Sequence, residues 1–254
     1  MKHRFRLLLT GNGDPCWNMS LDEAIMTLRP ETGVNTLRLY GWDPSAVSVG
    51  YFESLKEVVD LQEVESRGMK YIRRITGGGA VYHDTAGELT YSIVVPDKDP
   101  ILPKKVLDSY FALCGGIVLG LGKLGIEAEF APINDIVVGG KKISGNAQTR
   151  KRGIVLQHGT ILYRVDPELM FTLLRVSDEK MKDKLIAAVQ ERVTSVSHID
   201  PGIGRDRLEK AMVDGFAEHL NAELEPGEPT DEEIELAKKL MRDKYATEEW
   251  NFKR

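Results

Sequence analysis

An α+β fold, with a mixed and mainly antiparallel sheet flanked by helices, follows from three features of the sequence. Short segments rich in Val, Ile, Leu, Thr and Tyr recur between turn residues, as strands do. Gly139-Gly140 is a two-residue turn that folds its flanks into a hairpin. Helical repeats occur near 104–123 and again after 202, without the strict strand–helix alternation that a parallel sheet requires.

In chain order, Leu7 to Thr10 reads as a first strand and Gly11 to Asn18 as a turn-rich loop. Asn18 or Ser20 is a candidate helix cap, with Glu23 three residues after Ser20 in capping-box spacing. Thr36 to Tyr40 and Ala46 to Gly50 are strands joined by Trp42-Asp43-Pro44-Ser45. Val58 to Arg67 is expected as one helix stopped by Gly68, and Tyr71 to Ile75 and Leu89 to Val95 as strands. From about Lys104 to Lys123, Val106, Tyr110, Leu113, Ile117, Leu121 and Leu124 recur at helical steps and mark one buried stripe. Cys114 sits at its margin and reads as a small core residue, and Cys16, in the loop beside Trp17, reads as inert. Ile154 to Val165 is a further strand. Asp166 and Ser177 are expected caps, Gly202 to Leu220 and Asp231 to Tyr245 expected helices, and Trp250 an aromatic that docks on the body.

The 254 residues suffice for one large domain, and a formal charge of −5 argues against nucleic acid as a main partner. Neither a membrane span nor a signal peptide stands out, so a cytoplasmic enzyme is expected. Two cysteines make neither a disulfide framework nor a zinc site.

Chemistry concentrates in Arg73-Arg74-Ile75-Thr76-Gly77-Gly78-Gly79-Ala80-Val81-Tyr82-His83-Asp84. Three successive glycines cost about 2–3 kcal/mol of backbone entropy relative to alanine. They suggest that another molecule approaches the backbone, and the adjacent guanidinium groups suit a phosphate or carboxylate. The plainer alternative is a glycine-rich hairpin loop with two solvated arginines. The sequence has no P-loop, dinucleotide fingerprint or Gly-x-Ser-x-Gly elbow, and His83 and His158 lack metal-ligand spacing.

The Gly139-Gly140 turn sets a register that pairs Val138 with Lys141, Val137 with Lys142, Ile136 with Ile143 and Asp135 with Ser144. Asp135 and Lys142 then share one face, and Lys141 points to the other. At about 4 Å and an effective dielectric near 20, an Asp135–Lys142 pair gains roughly 4 kcal/mol before desolvation. Ser144-Gly145-Asn146-Ala147 leaves room for a ligand beside Lys142. The alternative is a surface lysine on an exposed hairpin.

The glycine stretch, Asn134-Asp135-Ile136-Val137-Val138, Lys142-Ile143-Ser144-Gly145-Asn146-Ala147 and His158-Gly159-Thr160 together resemble lipoate–protein ligase A of the biotin/lipoate ligase superfamily. The likeness runs from Leu7 to Asn251, and it implies a fold related to class II aminoacyl-tRNA synthetases. It further implies that lipoate is activated by ATP with Mg²⁺ to lipoyl-AMP, then passed to a lysine of a lipoyl carrier domain. Such carriers are the E2 subunits of 2-oxoacid dehydrogenases and the glycine cleavage H protein. By resemblance, Lys142 is catalytic and touches both substrates, while Arg74, Gly79, Ala80, Val81 and Tyr82 seat the nucleotide. Arg74, Thr76, Gly77, Gly78, His83, Ala147 and His158 line the lipoate end; Asn134 and Asp135 face the phosphate, with Asp135 toward the metal. Residues 1–254 would form a single catalytic domain whose helical C-terminal part begins near 203. The small domain that follows the Trp-Asn tail in many members is expected on a separate accessory subunit, without which the chain would be weak or inactive.

Glu88 departs from the resemblance, standing where the family frequently has Asn. Two other functions compete. An octanoyltransferase of the same fold acts through a cysteine thioester, and would need that cysteine near Ala131-Pro132-Ile133, where none stands. A non-catalytic binding protein is the other. A biotin ligase lacks support, because its glycine-arginine-glycine loop is missing.

Overall fold

The computed structural model describes residues 2–175 and 190–254; the expected cap Ser177 lies outside them. The strands are β1 (His3–Gly13), β2 (Asn35–Trp42), β3 (Ala46–Val49), β4 (Lys70–Arg73), β5 (Val81–His83), β6 (Glu88–Pro96), β7 (Glu129–Ala131), β8 (Asp135–Val138), β9 (Lys141–Lys151), β10 (Ile154–Leu162) and β11 (Ala222–Pro226). Eight of them form one sheet in the order β11-β1-β2-β6-β10-β9-β8-β7, and β4-β3-β5 form a smaller one. Among the described strands, only β11–β1–β2 and β3–β4 pair in parallel. The fold is therefore α+β with a mainly antiparallel sheet, as the sequence leads one to expect.

Alternation along the central strands sorts residues onto two covered faces. On β6, Leu89, Tyr91, Ile93 and Val95 enter the main apolar core with Leu37 and Leu39 of β2. Glu88, Thr90 and Ser92 therefore face the other way, and all three are buried. The main core is closed by the helix α4 (Val106–Lys123) and by the helix Arg205–His219. Tyr110, Leu113, Cys114, Ile117 and Leu121 of α4, and Leu124 at its C-terminal cap, are buried there, whereas Val106, expected in the stripe, is exposed at the helix start. The two helices cross at glycines: a Cβ on Gly215 would collide with the backbone of Gly116 and Gly120.

The opposite face carries α1 (Pro15–Thr32), which starts earlier than expected. Asp14 caps it, accepting from Cys16 N at 2.9 Å, and Pro15 occupies the first helical position, where a missing N–H costs nothing. Asn18, Ser20 and Glu23 thus lie inside the helix and no capping box forms. The Ser20 hydroxyl donates to Cys16 O at 2.6 Å, and Glu23 accepts from Lys244 and Tyr245, each at 2.6 Å. The expected helix Val58 to Arg67 is split into α2 (Leu55–Val58) and α3 (Leu61–Ser66), because Asp60 between them caps α3 through Glu63 N at 3.0 Å. Asp166 caps a short helix, Pro167–Thr172, as expected. The expected C-terminal helices run Arg205–His219 and Asp231–Leu240, the latter continued by a π-turn, Met241–Tyr245.

The C-terminal segment is fastened by Arg73, whose side chain has no exposed surface. Its guanidinium donates to the carbonyls of Gly50, Tyr51, Glu53, Trp250 and Asn251, and Trp250 Nε1 donates back to Arg73 O at 2.8 Å. Trp250 docks as expected, but Arg73 is a structural tie and not part of an anion seat. Arg73→Met should lower unfolding free energy by about 3–5 kcal/mol, because several charge-assisted bonds are lost together. Denaturant titration checks this, with faster amide exchange at residues 248–252.

Candidate active site

A cavity of about 310 Å³ opens between the small sheet and the face of the large sheet that carries α1. Its rim and walls include Gly78, Gly79, Ala80, Val81, Tyr82 and His83 from the glycine stretch, and Asn134, Lys142, Ala147 and His158 from the large sheet. Sequence motifs more than 70 residues apart, from Gly78 to His158, thus converge on one space.

Arg74 lies in the cavity wall, but its guanidinium is committed to the protein. It donates to Ser48 Oγ at 3.0 Å and to Gly77 O and Gly79 O, both at 2.9 Å. Burial pushes its pKa down to about 10, which leaves it charged at neutral pH. A trans peptide points its C=O and N–H to opposite sides, so the N–H groups of Gly78 and Ala80 face away from Arg74. Gly78 adopts φ 98°, and a Cβ on Gly50 would collide with its carbonyl.

Lys142 reaches the cavity from the hairpin, 2.8 Å from Asp135 Oδ1. The lysine is 41% exposed and the aspartate 33%, so the pair is solvent-screened and serves to aim the amine more than to stabilise the fold. Gly145 makes this geometry possible, because a Cβ there would stand 2.7 Å from Lys142 Nζ. The register differs from the sequence reading beyond its first two pairs. Val138 opposes Lys141 and Val137 opposes Lys142, but Ile136 opposes Ser144 and Asp135 opposes Gly145. The extra residue is a β-bulge at Ile143, which keeps both Ile136 and Ile143 in the core. Lys141 points elsewhere, its Nζ donating to Gln190 O at 3.3 Å. Asn134 and Asn146 brace the loop by reciprocal side-chain to backbone bonds, and Tyr91 OH donates to Asn146 Oδ1 at 2.6 Å.

Thr76 and Gly77 do not line the cavity. Thr76 is buried behind His158, with Oγ1 2.7 Å from His158 Nε2. His158 Nδ1 in turn faces Asp22 Oδ2 at 3.7 Å. Asp22 is buried and accepts from Arg38 at 2.8 Å, Ser92 at 2.9 Å and Tyr40 at 3.0 Å. Burial opposes its ionisation, yet Arg38 and His158 together hold its pKa below the usual carboxylate value. Burial also depresses the His158 pKa, against the opposing pull of Asp22.

Sequence reasoning missed Met19, Tyr40, Trp42, Ser48 and Thr90, which line the cavity, and Asp22 behind them. One signal was present: Arg38, Tyr40 and Trp42 alternate on β2 and therefore share the face turned toward α1. Trp42 stacks on His83 with centroids 3.9 Å apart.

The expected magnesium position at Asp135 does not fit a resident cation. Its Oδ1 is taken by Lys142, and among the described residues no three His, Cys, Asp or Glu side chains converge. Neither cysteine lines the cavity. Cys114 is buried in the main core, where burial pushes its thiol up to about 12; Cys16 packs against Tyr245 O at 3.6 Å and is pushed up to about 11.

The sequence profile of the lipoyl protein ligase A/B catalytic domain matches residues 14–217. The chain belongs to that family. Among curated relatives, an octanoyltransferase LipM of Kyrpidia tusciae is 42% identical, over 98% of this chain and 99% of the relative. A second, from Brevibacillus brevis, is 37% identical over 99% of each. A solved structure of the bipartite lipoate protein ligase of Thermoplasma acidophilum with its E2 lipoyl domain superimposes with a TM-score of 0.89. It is 32% identical and covers 98% of this chain and 96% of its own.

For this member of the lipoyl ligase family, the full-length octanoyltransferase relatives overturn the expected ATP-dependent lipoate ligation. The reason is physical: an acid and a thioester present the same carbonyl, so a glycine loop beside a lysine does not distinguish the group on which an acyl chain arrives. The motifs that suggested a ligase therefore mark the family and its fold, not the reaction.

His158 supplies a pH test of the buried arrangement. A histidine whose folded pKa lies below its unfolded value contributes stability that is complete above about pH 6.5 and falls as acidification forces a proton on it. The melting temperature of the wild type should therefore drop between about pH 6.5 and 5 more steeply than that of His158→Gln. Calorimetry across that range is the check; parallel profiles would refute it.

Proposed function

We propose that this protein is an acyltransferase of the octanoyltransferase type, moving a medium-chain acyl group from a thioester donor to the ε-amine of a lysine on a lipoyl carrier domain. The observation that carries this reading is the Lys142 amine, held by Asp135 over Gly145 at a cavity fit for an acyl chain. The octanoyltransferase relatives support the donor class, and the Thermoplasma ligase with its E2 lipoyl domain supports the acceptor.

In this reading the substrate amine attacks the thioester carbonyl, a C–N bond forms, and the C–S bond breaks. The leaving thiolate takes up a proton while the amine gives one up, so the exchange balances without ATP. The Lys142 ammonium donates to the carbonyl oxygen as negative charge builds there. Asp135 orients that ammonium, and the Gly78 and Ala80 N–H groups, turned from Arg74, are the neighbouring donors of the loop.

The cysteine that such a transferase was expected to use is absent from the cavity of this chain, among the described residues. Transfer is accordingly direct, with donor and acceptor bound together and no acyl-enzyme. The Cys16→Ala, Cys114→Ala double variant should retain its rate within about threefold, since neither thiol is ionised or placed to attack.

The test is a mass shift on a purified lipoyl domain incubated with an octanoyl thioester of an acyl carrier protein and no ATP. Lys142→Met should slow the transfer by two to three orders of magnitude, roughly the effect of deleting one transition-state donor, and Lys141→Met should change little. Modification that appears only with free acid plus ATP would overturn the proposal, as would equal effects at the two lysines.

A further inference from the structure

With the cavity taken as the acyl site proposed above, Glu88 acquires a role. Its side chain is 1% exposed and lines the cavity. Oε1 accepts from His83 Nδ1 at 2.8 Å and from Thr90 Oγ1 at 2.6 Å. Oε2 is buried and has no hydrogen-bond partner among the described residues. Buried carboxylate oxygens almost always find a donor, so one left bare on a cavity wall is an acceptor waiting for a ligand or a water. Arg74 does not supply that donor, because its guanidinium is bonded to Ser48, Gly77 and Gly79.

The sheet register places this oxygen relative to the reacting end. Glu88 of β6 opposes Leu162 of β10, and Ile161 of β10 opposes Ser144 of β9. Glu88 therefore stands two strands across from the strand of Lys142, at nearly the same height, about 10 Å away. An acyl chain with its carbonyl at Lys142 runs across the sheet face toward Glu88. Thr90, on the same face of β6 as Glu88, and Thr160, its partner on β10, line that path.

We propose that Glu88 sets the acyl-chain length. A short chain leaves room for a water on Oε2. A chain long enough to bring its methyl end to Glu88 strips that water and offers no donor in return. A chain of that length ending in a hydroxyl supplies the donor itself. The apolar walls thus reward each added carbon until the carboxylate is reached, and penalise the next.

Calorimetric Kd values test this with straight-chain saturated acids from hexanoate to dodecanoate and their ω-hydroxy counterparts. They are measured on the full chain as wild type, Glu88→Gln and Glu88→Met. In the wild type, affinity should rise with length and then fall. At the first length past the maximum, the ω-hydroxy acid should bind roughly tenfold tighter than the plain acid. Glu88→Gln keeps an acceptor for His83 and Thr90 and a polar group at the bare position, so it should keep the length limit. Glu88→Met should move the limit to longer chains and abolish the hydroxyl advantage. If Glu88→Met does not fold, the plain and hydroxylated acids on the wild type decide alone. A wild type indifferent to the hydroxyl, or one length profile shared by the wild type and Glu88→Met, overturns the role of Glu88 and leaves the acyl reading intact. Failure of every acid to bind overturns the acyl reading, and this role with it.

Discussion

The buried carboxylate of Asp22 is the constraint on which the site depends. It projects from α1 and is met by Arg38 and Tyr40 from β2, Ser92 from β6 and His158 from β10. One side chain thus ties a helix to three strands that are consecutive in the sheet. Removing one partner of such a buried pair typically costs about 3–5 kcal/mol, because the remaining charge is left uncompensated. The tie continues outward: His158 meets Thr76, two residues from Arg74, and Arg74 holds the glycine loop. The position of the loop relative to the large sheet is therefore fixed through hydrogen bonds that begin in the core.

A second buried line runs parallel to the first. Arg74 donates to Ser48 Oγ, Ser48 pairs with His83 Nε2 at 2.8 Å, and His83 Nδ1 faces Glu88 at 2.8 Å. An Nδ1–H tautomer of His83 gives every donor in this line an acceptor: guanidinium to hydroxyl, hydroxyl to Nε2, and Nδ1–H to carboxylate. Arg74 and Glu88 are so connected without touching. Trp42 reinforces the line, stacking on His83 and donating to Thr90 at 2.8 Å. Both lines stand behind a cavity that a half-exposed lysine, Lys142, reaches from the hairpin. Rigidity lies in the walls, and the amine at the cavity mouth stays accessible.

The sequence carried the parts of this arrangement that obey local rules. Alternation announced β2, β6 and β10, the Gly139-Gly140 turn announced the hairpin, and helical spacing announced α4. The hairpin also put Asp135 and Lys142 on one face, which the 2.8 Å pair realises. What stayed hidden is non-local. The bulge at Ile143 answers to the core on one side of the hairpin, not to the turn. The Asp14 cap was overlooked because Ser20 and Glu23 imitate a capping box from within the helix. Arg73 and Arg74 look alike in sequence; only the fold distinguishes the one that fastens the C-terminal segment from the one beneath the loop. The kinship with octanoyltransferases was hidden for a different reason. A thioester and an acid present the same carbonyl, so motifs shared across the family do not separate a ligase from a transferase.

The three glycines can now be assigned separate causes. Gly78 is required by its own backbone, with φ 98°, and by Arg74, whose Nη2 would stand 2.8 Å from a Cβ there. Gly77 and Gly79 are under no such demand, since a Cβ on either would meet no protein atom. Their carbonyls are held by Arg74, so the peptide planes that follow them are fixed with the N–H groups turned from the guanidinium. An arginine expected to bind an anion directly instead orients backbone donors that can do so. The space beside Gly79, which lines the cavity, is what a molecule resting on that backbone would occupy. The entropic cost of glycine at these positions is then explained by an open surface, while Gly78 alone is explained by strain.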